Sequence, residues 1–471
     1  MPTKTIPLVG PTNKSRTGPV SDQITKGFYI SVDPESSERV ALIQFPGAKF
    51  LDSGGGANRG TAVYKNVAYT INGQSLYSFD SLGTLTLIGT IPGTNQCGMV
   101  SDGVNLVITT GDSKPYIYDG STIAQGTDVD LLQANTVTYI NSRVVYDSGG
   151  LSQDVGFAAL NNPIDQNSLN ITSEAVRPDN TKAVIAFNQQ VYVYGERSIA
   201  PYYNDAGAGN PPYRLVQNGT QADIGLGSVA SLVCNESGIY WQSQEGTIYA
   251  MTGYQPQAIS TAAIQTIMSG YSDRFDARAS LFKLDDQIFY YLTFPQSGSW
   301  LWSRNAGWLS LGDDQNNAHI INKIIYVYDK LFATDYRNGN LYELDFDTFT
   351  NNGANIFRER STTRLTPRSL GAPGKPIFTN TITLHADVGV GLISGTTDPQ
   401  VMMDWRKDGQ GPWSSERWKS LGELGDYTVA LTWDDMPHFE SHQGLEFRFR
   451  VTDPVRFSPF ALTVDFDVGN L

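Results

Sequence analysis

Residues 238–253, GIYWQSQEGTIYAMTG, decide the fold. A strand rich in β-branched and aromatic residues runs into a Glu245-Gly246 turn, and a second strand follows with Tyr249 and Met251. Side chains alternate across a strand with a period of two, and glycine in the turn supplies the positive φ of a tight hairpin. The unit returns as VAYTINGQSLYSFD at 67–80, LVITTGDSKPYIYD at 106–119, QVYVYGERSIAPYYND at 190–205, QIFYYLTFPQSGSWLWSR at 287–304 and KLFATDYRNGNLYELD at 330–345. A looser seventh begins at Arg143 with RVVYDSGG and resumes at Val155. Asn72-Gly73, Ser237-Gly238 and Asn338-Gly339 are read as turn pairs of the same kind. Hairpins recurring at about 40 to 50 residues are the signature of a β-propeller, whose blades are twisted sheets of about four strands. One blade cannot bury both of its faces, so blades stack radially. The pattern predicts a propeller of six or seven blades over residues 61–350, with a short helix near 262–271, AAIQTIMSGY.

Outward from the repeats, residues 1–60 read as an N-terminal arm and strands that pack on the other domains. Residues 351–376 read as a linker, Asn/Gly-rich at first and Pro/Gly-rich later. From 377 to 471 alternation resumes in TITLHADVGVGLI, VMMDWRKDG, YTVALTWDD, LEFRFRVTD and ALTVDFDVG, which predicts a second domain, a C-terminal β-sandwich or jelly roll. LEFRFRV puts Leu445, Phe447, Phe449 and Val451 on one face and Glu446, Arg448 and Arg450 on the other. The chain is read as all-β.

Composition agrees. A chain of 471 residues with 40% hydrophobic and 11% aromatic residues is too apolar for disorder, and its 46 glycines, 24 tyrosines and 17% charge suit short strands and tight turns. A formal net charge of −14 excludes wrapping a nucleic-acid backbone by counterion release, which needs a Lys/Arg surface. An acidic wall can still border DNA without adhering to it. Cys97 and Cys234 form no CxxC pair and are read as reduced, buried thiols. The opening MPTKTIPLVGPTNKSRTGPVSD carries no apolar run, so no leader is expected there, and no membrane span is read. The expected site of assembly is a reducing cytosol.

Catalysis needs a nucleophile, a base or a metal set. His319 and His385 stand alone, and His438 and His442 flank Glu440 in PHFESHQG, where Pro437 and Gly444 mark a loop and the acid sits out of place for a zincin helix. Gly111–Ser113 (GDS) falls in a hairpin, and DSGGGANRG at 52–60 lacks the Gly-Lys-Ser/Thr of a phosphate loop. Asp345, Asp347, Asn351 and Asn352 miss calcium-loop spacing, and Asn170-Ile171-Thr172 is a sequon without meaning outside a secretory route. Asp285-Asp286, Asp313-Asp314 and Asp434-Asp435 are read as turn caps. WRKDGQGPW, 405–413, resembles the Asp-box of sialidases, a hairpin brace that is structural there too. No catalytic residue, cofactor site or metal site is assigned, and the chain is read as no enzyme. Basic residues cluster at Arg358, Arg360, Arg364, Arg368 and Lys375 with Glu359 opposing them. The four arginines are the candidate docking residues for an acidic partner; a solvated or sheet-edge segment is the plainer reading, and direct DNA contact is the third.

The order of parts resembles the packaged-DNA stabilisation proteins of podovirus-like phages, also called tail hub or nozzle proteins. The resemblance rests on ALIQFPGAKFLDSGGGANRGTAVYKNVAYTING at 41–73, on NGTQADIGLGSVASLVCNESGIYWQSQEGTIYAMTGYQPQAISTAAIQTIM at 218–268, and on GLEFRFRVTDPVRFSPFALTVDF at 444–466. WRKDGQGPW followed by WKSLGELGDYTVALTW is similar to a module of phage tail proteins. The resemblance implies a propeller, commonly described as six-bladed, with added β-domains. It implies a homo-hexameric ring below the portal and its adaptor ring, with tail fibre or needle proteins as further partners. Such a ring encloses DNA without sequence-specific binding and guides its ejection, in a virion tail assembled in the host cytoplasm. The alternatives carried are a virion carbohydrate-active propeller enzyme and a receptor-binding or scaffold propeller.

Overall fold

The computed structural model describes residues 2–14, 22–32, 40–173, 177–205, 209–313, 315, 318–391, 398–409 and 411–469. Each repeat start read from the sequence is the first residue of a strand: Val67–Asn72, Leu106–Thr109, Arg143–Tyr146, Gln190–Gly195, Gly238–Gln242, Gln287–Phe294 and Lys330–Asp335. Each is the second strand, counted from the axis, of an antiparallel blade. Second strands are flanked by strands on both edges and by blades on both faces, so they carry the densest apolar pattern. Gln287–Phe294, for example, buries every residue but Ile288. The innermost strands are Asn58–Tyr64, Gly98–Ser101, Val137–Ile140, Thr181–Phe187, Val233–Asn235, Arg278–Leu284 and Ile321–Val327. They lie side by side round the whole circle, Ile321–Val327 against Asn58–Tyr64. Among the described residues the propeller therefore has seven blades, one more than the resemblance implies. The loose unit at Arg143 is blade 3. Its third strand, Asp154–Phe157, is short and lies beyond a long turn, which breaks the repeat in the sequence.

An innermost strand has no neighbour toward the axis, and an unpaired backbone amide needs a partner. Hydroxyls of the preceding blade meet that need. Thr136 Oγ1 accepts from Val184 N at 2.7 Å, Thr138 Oγ1 from Ala186 N at 3.0 Å, and Ser280 Oγ from Ile324 N at 3.0 Å. The turns between first and second strands are two-residue left-handed turns at Lys65-Asn66, Asn141-Ser142, Asn188-Gln189, Asp285-Asp286 and Tyr328-Asp329, all with positive φ and without glycine. The expected glycine turns hold at Gly73 and Gly246, with φ of 56° and 88°. Gly339 is different: its φ is not left-handed, and glycine is required because a Cβ would stand 2.1 Å from Gly54 O.

That contact belongs to the ring closure. The fourth strand of blade 7 is Gly47–Gly54, which precedes blade 1 in sequence and pairs antiparallel with Gly339–Asp345. The helix forms at Ala262–Ser269 between blades 5 and 6, with Thr261 Oγ1 accepting from Ile264 N at its N-cap.

The C-terminal part is a two-sheet sandwich. One sheet runs Thr3–Pro7, Pro459–Val468, Ile377–Ala386, Thr432–Asp434, with His438–Phe439 also on Ile377–Ala386. The other runs Arg358–Ser361, Leu445–Val451, Gln400–Lys407, Arg417–Ser420. Thr25–Lys26 joins this second sheet to Gly307–Leu311, the outer strand of blade 6, so nine strands form one sheet across both parts. Leu445, Phe447, Phe449 and Val451 are fully buried, and the apolar cluster that holds them continues to Phe289 and Tyr342 of the propeller. The segment read as a linker thus contains a central strand, Arg358–Ser361, with all four residues buried. Ring closure gives a first test. Gly339→Ala should lower the urea midpoint of unfolding, a loss of about 1 kcal/mol or more, because backbone and not a flexible side chain meets the new methyl. Gly253→Ala, with nothing within 4 Å, should leave it unchanged.

Candidate interaction sites on the axis and at the domain seam

The chain segments that enter the innermost strands are held by buried polar groups at one end of the disc. Arg59 donates to Asn95 O at 2.6 Å and to Gly73 O and Ile91 O at 3.0 Å each, which fixes the crossing from blade 1 to blade 2. Asp147, fully buried at the end of a second strand, accepts from Asn135 N at 2.9 Å and Thr136 N at 2.7 Å and so fixes the crossing into blade 3. Burial raises its carboxyl to about 6 although four hydrogen bonds pull the other way. These crossings converge on a cavity of about 320 Å³ whose wall includes Asn95, Gln96, Asn135, Ala230, Asp276 and Lys323. Five of the seven blades contribute, which places it on the axis.

Lys323 is the cation of that cavity. Its Nζ donates to Ala279 O at 2.7 Å and Ala230 O at 3.3 Å, and burial lowers its pKa to about 8. Asp276 is engaged by Arg278, whose Nε and Nη2 reach its two oxygens at 3.2 and 3.0 Å. Arg278 Nη1 also donates to Asn322 Oδ1 at 3.3 Å. The sequence analysis missed Lys323. Its signal was a lone lysine inside the apolar run IINKIIYV, 320–327.

The arginines read as docking residues divide. Arg358 and Arg360 are 0% and 2% exposed, so neither can meet a partner; this corrects the reading of that segment as solvated. Arg358 donates to Gln44 Oε1 at 2.6 Å and to the carbonyls of Asp453 and Val455. Arg360 donates to Thr25 Oγ1 at 2.6 Å. Burial lowers both to about 9, which leaves them charged at neutral pH. They are the seam that ties the N-terminal segment to both sandwich strands and the loop at 453–455. Arg364 is half-buried and pairs with Asp408, while Arg368 and Lys375 are exposed.

A propeller model described as "Bacteriophage P22 Gp10, beta-propeller" matches residues 5–349, and one described as "Bacteriophage P22 Gp10, beta-sandwich" matches residues 365–467. The chain belongs to the P22 Gp10 family. It is a bacteriophage structural protein of the tail and DNA-stabilisation class. No curated protein matches the chain. Matches among solved structures are distant. The extracellular domain of the putative one component system BT4673 from B. thetaiotaomicron is 13% identical with a TM-score of 0.44, and the match covers 73% of this chain and 44% of that one. BamB from Moraxella catarrhalis is 10% identical at a TM-score of 0.39, covering 69% and 96%. Virginiamycin B lyase from Staphylococcus aureus is 9% identical at 0.41, covering 63% and 97%.

Within this Gp10 fold, the candidate chemical residues take structural places. Asp408 of the Asp-box-like stretch accepts from Gly444 N at 2.9 Å and from Arg364. Trp413 lies against two guanidiniums, Arg448 at 4.1 Å and Arg406 at 4.5 Å from the ring centre. The charged face of LEFRFRV is therefore covered. Arg448 and Arg450 both reach Asp404, Arg406 pairs with Glu446 at 2.7 Å, and Glu359 stands opposite both Arg450 and Lys26 in register. His438 stacks on Phe378, His385 Nε2 is 2.7 Å from Thr463 Oγ1, and Ser113 Oγ bonds Thr110 Oγ1 at 3.0 Å. Asp285 accepts from Tyr29 Oη at 2.8 Å. Asp345 caps its own turn by accepting from Asp347 N at 3.1 Å. Cys97 and Cys234 are half-buried free thiols, and burial raises each to about 11. Among the described residues no group of three His, Cys, Asp or Glu is placed to hold a metal, and no helix is long and apolar enough to cross a membrane. Asp314 lies outside the described residues.

Two outcomes follow from these burials. Arg358→Ala leaves three buried acceptors without a donor, at about 1–3 kcal/mol each, so urea denaturation should show a loss of about 3 kcal/mol or more. Arg368→Glu, on the surface, should stay within about 0.5 kcal/mol. Buried His319, whose Nε2 lies 3.1 Å from Asn351 Nδ2, is lowered by desolvation from 6.5 to about 4. Between those values the unfolded chain binds the extra proton, so stability should fall as pH drops from 6.5 toward 4. Asp147 works in the opposite sense between its unfolded value of 3.8 and about 6, so the measurement is the difference between wild type and His319→Gln, which should narrow toward pH 4.

Proposed function

We propose that this protein is the hub or nozzle of a short phage tail. It assembles as a homo-hexameric ring against the portal-adaptor ring, with tail fibre or needle proteins as further partners. It encloses packaged DNA and guides its exit without sequence-specific contact and without bond-making chemistry. Assembly takes place in the host cytoplasm, and the product is part of the virion tail. The observation that carries this reading is that the P22 Gp10 propeller and sandwich models both match, in order, along one chain.

Two surface properties support it. Blades 1–3, away from the sandwich that is attached at blades 6 and 7, carry Leu82, Leu87, Val104, Val129, Leu151, Leu160 and Leu169 exposed, Val129 at 88% and Leu82 at 74%. Large apolar side chains left exposed along one arc of the disc are available for contact with partner proteins. The −14 charge of each copy, repeated round a ring, presents DNA phosphates with like charge.

Light scattering and electron microscopy, on the protein alone and with a portal-adaptor ring, test the proposal. Six copies are expected on the ring. The triple substitution Leu82→Glu, Leu160→Glu, Leu169→Glu should reduce ring occupancy without lowering the melting temperature of the free chain. A single copy on the ring, or full occupancy by the variant, would count against it.

A further inference from the structure

We infer that the axial cavity of the propeller binds a carboxylate, with Lys323 as the cation that receives it. An ammonium has three donors, and here two are used by backbone carbonyls, Ala279 O at 2.7 Å and Ala230 O at 3.3 Å. Carbonyl dipoles solvate the charge without neutralising it. Among the described residues no carboxylate forms an ion pair with Lys323; Asp276, on the same cavity wall, is already held in a bidentate pair by Arg278. Asp276 and Arg278 cancel, so the cavity keeps one positive charge. A buried charge without a counter-ion is unfavourable, and an anion entering from solvent relieves it.

The cavity suits that anion. Lys323 is half-buried, with part of its surface open toward a space of about 320 Å³, large enough for a carboxyl group on a short stem. The wall adds the side-chain amides of Asn95, Gln96 and Asn135; Gln96 Nε2 donates to Asn58 O at 3.3 Å and Asn135 Nδ2 to Lys182 O at 3.2 Å, and an amide nitrogen that spends one N–H on a carbonyl keeps a second for a carboxylate oxygen. One cation without an acidic partner among the described residues matches a monoanion. A phosphate dianion wants two cations or a free guanidinium fork, and the Arg278 fork is occupied. Lowering of the Lys323 pKa to about 8 reports the same missing counter-ion, because burial and the nearby Arg278 both push it down and no acid pushes back. The site is independent of the tail assignment: it depends on blades closing round an axis and not on what surrounds the disc.

The carboxylate has two sources, a small free acid or an acidic side chain at the tip of another protein. Isothermal calorimetry at pH 7 and constant ionic strength, with sodium acetate in one arm and a capped hexaglutamate peptide in the other, separates them. One site per chain is expected, for acetate if the ligand is a free acid and for the peptide alone if it is a protein tip. Lys323→Met should weaken binding about tenfold or more. Asp276→Asn, which removes the negative charge from the cavity wall and releases the Arg278 fork, should strengthen it by roughly twofold to fivefold. No binding of either probe to the wild type overturns the inference, and so does equal binding by Lys323→Met. If that variant fails to fold, the Asp276→Asn arm decides: tighter binding supports the site and unchanged affinity overturns it.

Discussion

The disc is closed by a strand that belongs, in sequence, to neither end of the repeat. Gly47–Gly54 must leave the N-terminal segment and zip onto Gly339–Asp345 before blade 7 is complete, a pairing across almost 300 residues. The described strands before Gly47 are then tied to the rest of the fold. Phe28–Val32 and Val40–Gln44 form a hairpin against blades 6 and 7, with Tyr29 packed on Phe289. Thr25–Lys26 becomes the bridge between blade 6 and the sandwich, and Thr3–Pro7 reaches the last strand of the chain, Pro459–Val468. The sandwich is thus attached by the same N-terminal segment that closes the propeller. A continuous apolar cluster across both parts is the energetic expression of that connectivity.

Buried charge enforces the attachment. Arg358 and Arg360 are taken out of water and given the side-chain amide oxygen of Gln44, the carbonyls of Asp453 and Val455, and the hydroxyl of Thr25. Those bonds form in one relative placement of propeller, hairpin and sandwich. In any other placement two guanidiniums would be buried unsatisfied or the seam would have to open, so misplacement is penalised strongly even where the net gain of the correct placement is modest. The covered lattice of Asp404, Arg448, Arg450 and Glu359 acts in the same way within the second sheet.

How much of this was legible in the sequence follows from where each signal comes from. Six blades announced themselves clearly through their second strands and blade 3 only loosely, because those strands are buried on every side and favour β-branched and aromatic residues. Outer strands such as Ile123–Gln125 are three residues long and left no trace. The alternation of Leu445, Phe447, Phe449 and Val451 named a buried face correctly, since that face depends on local period alone. Arg358 and Arg360 were misread because nothing near them says they are buried: their side-chain partners lie 314 and 335 residues away. The axial cavity was invisible for the same reason, being assembled from five blades that share no sequence neighbourhood.

Placement of the cations also changes the meaning of the net charge. Arg59, Arg358 and Lys323 spend their charge on backbone carbonyls inside the molecule, and Arg360 spends its own on the Thr25 hydroxyl. Arg448 and Arg450 are paired beneath Trp413 and Glu416. Many carboxylates, by contrast, cap exposed turns, Asp80, Asp119 and Asp426 among them. A composition of 33 basic and 47 acidic residues therefore understates how acidic the solvent-facing surface is at close range. Phosphate contacts need cations that can reach the backbone of DNA, and here a good share of the cations are committed to holding the fold. For a wall that DNA is proposed to pass, that commitment would leave few cations for the polymer to adhere to.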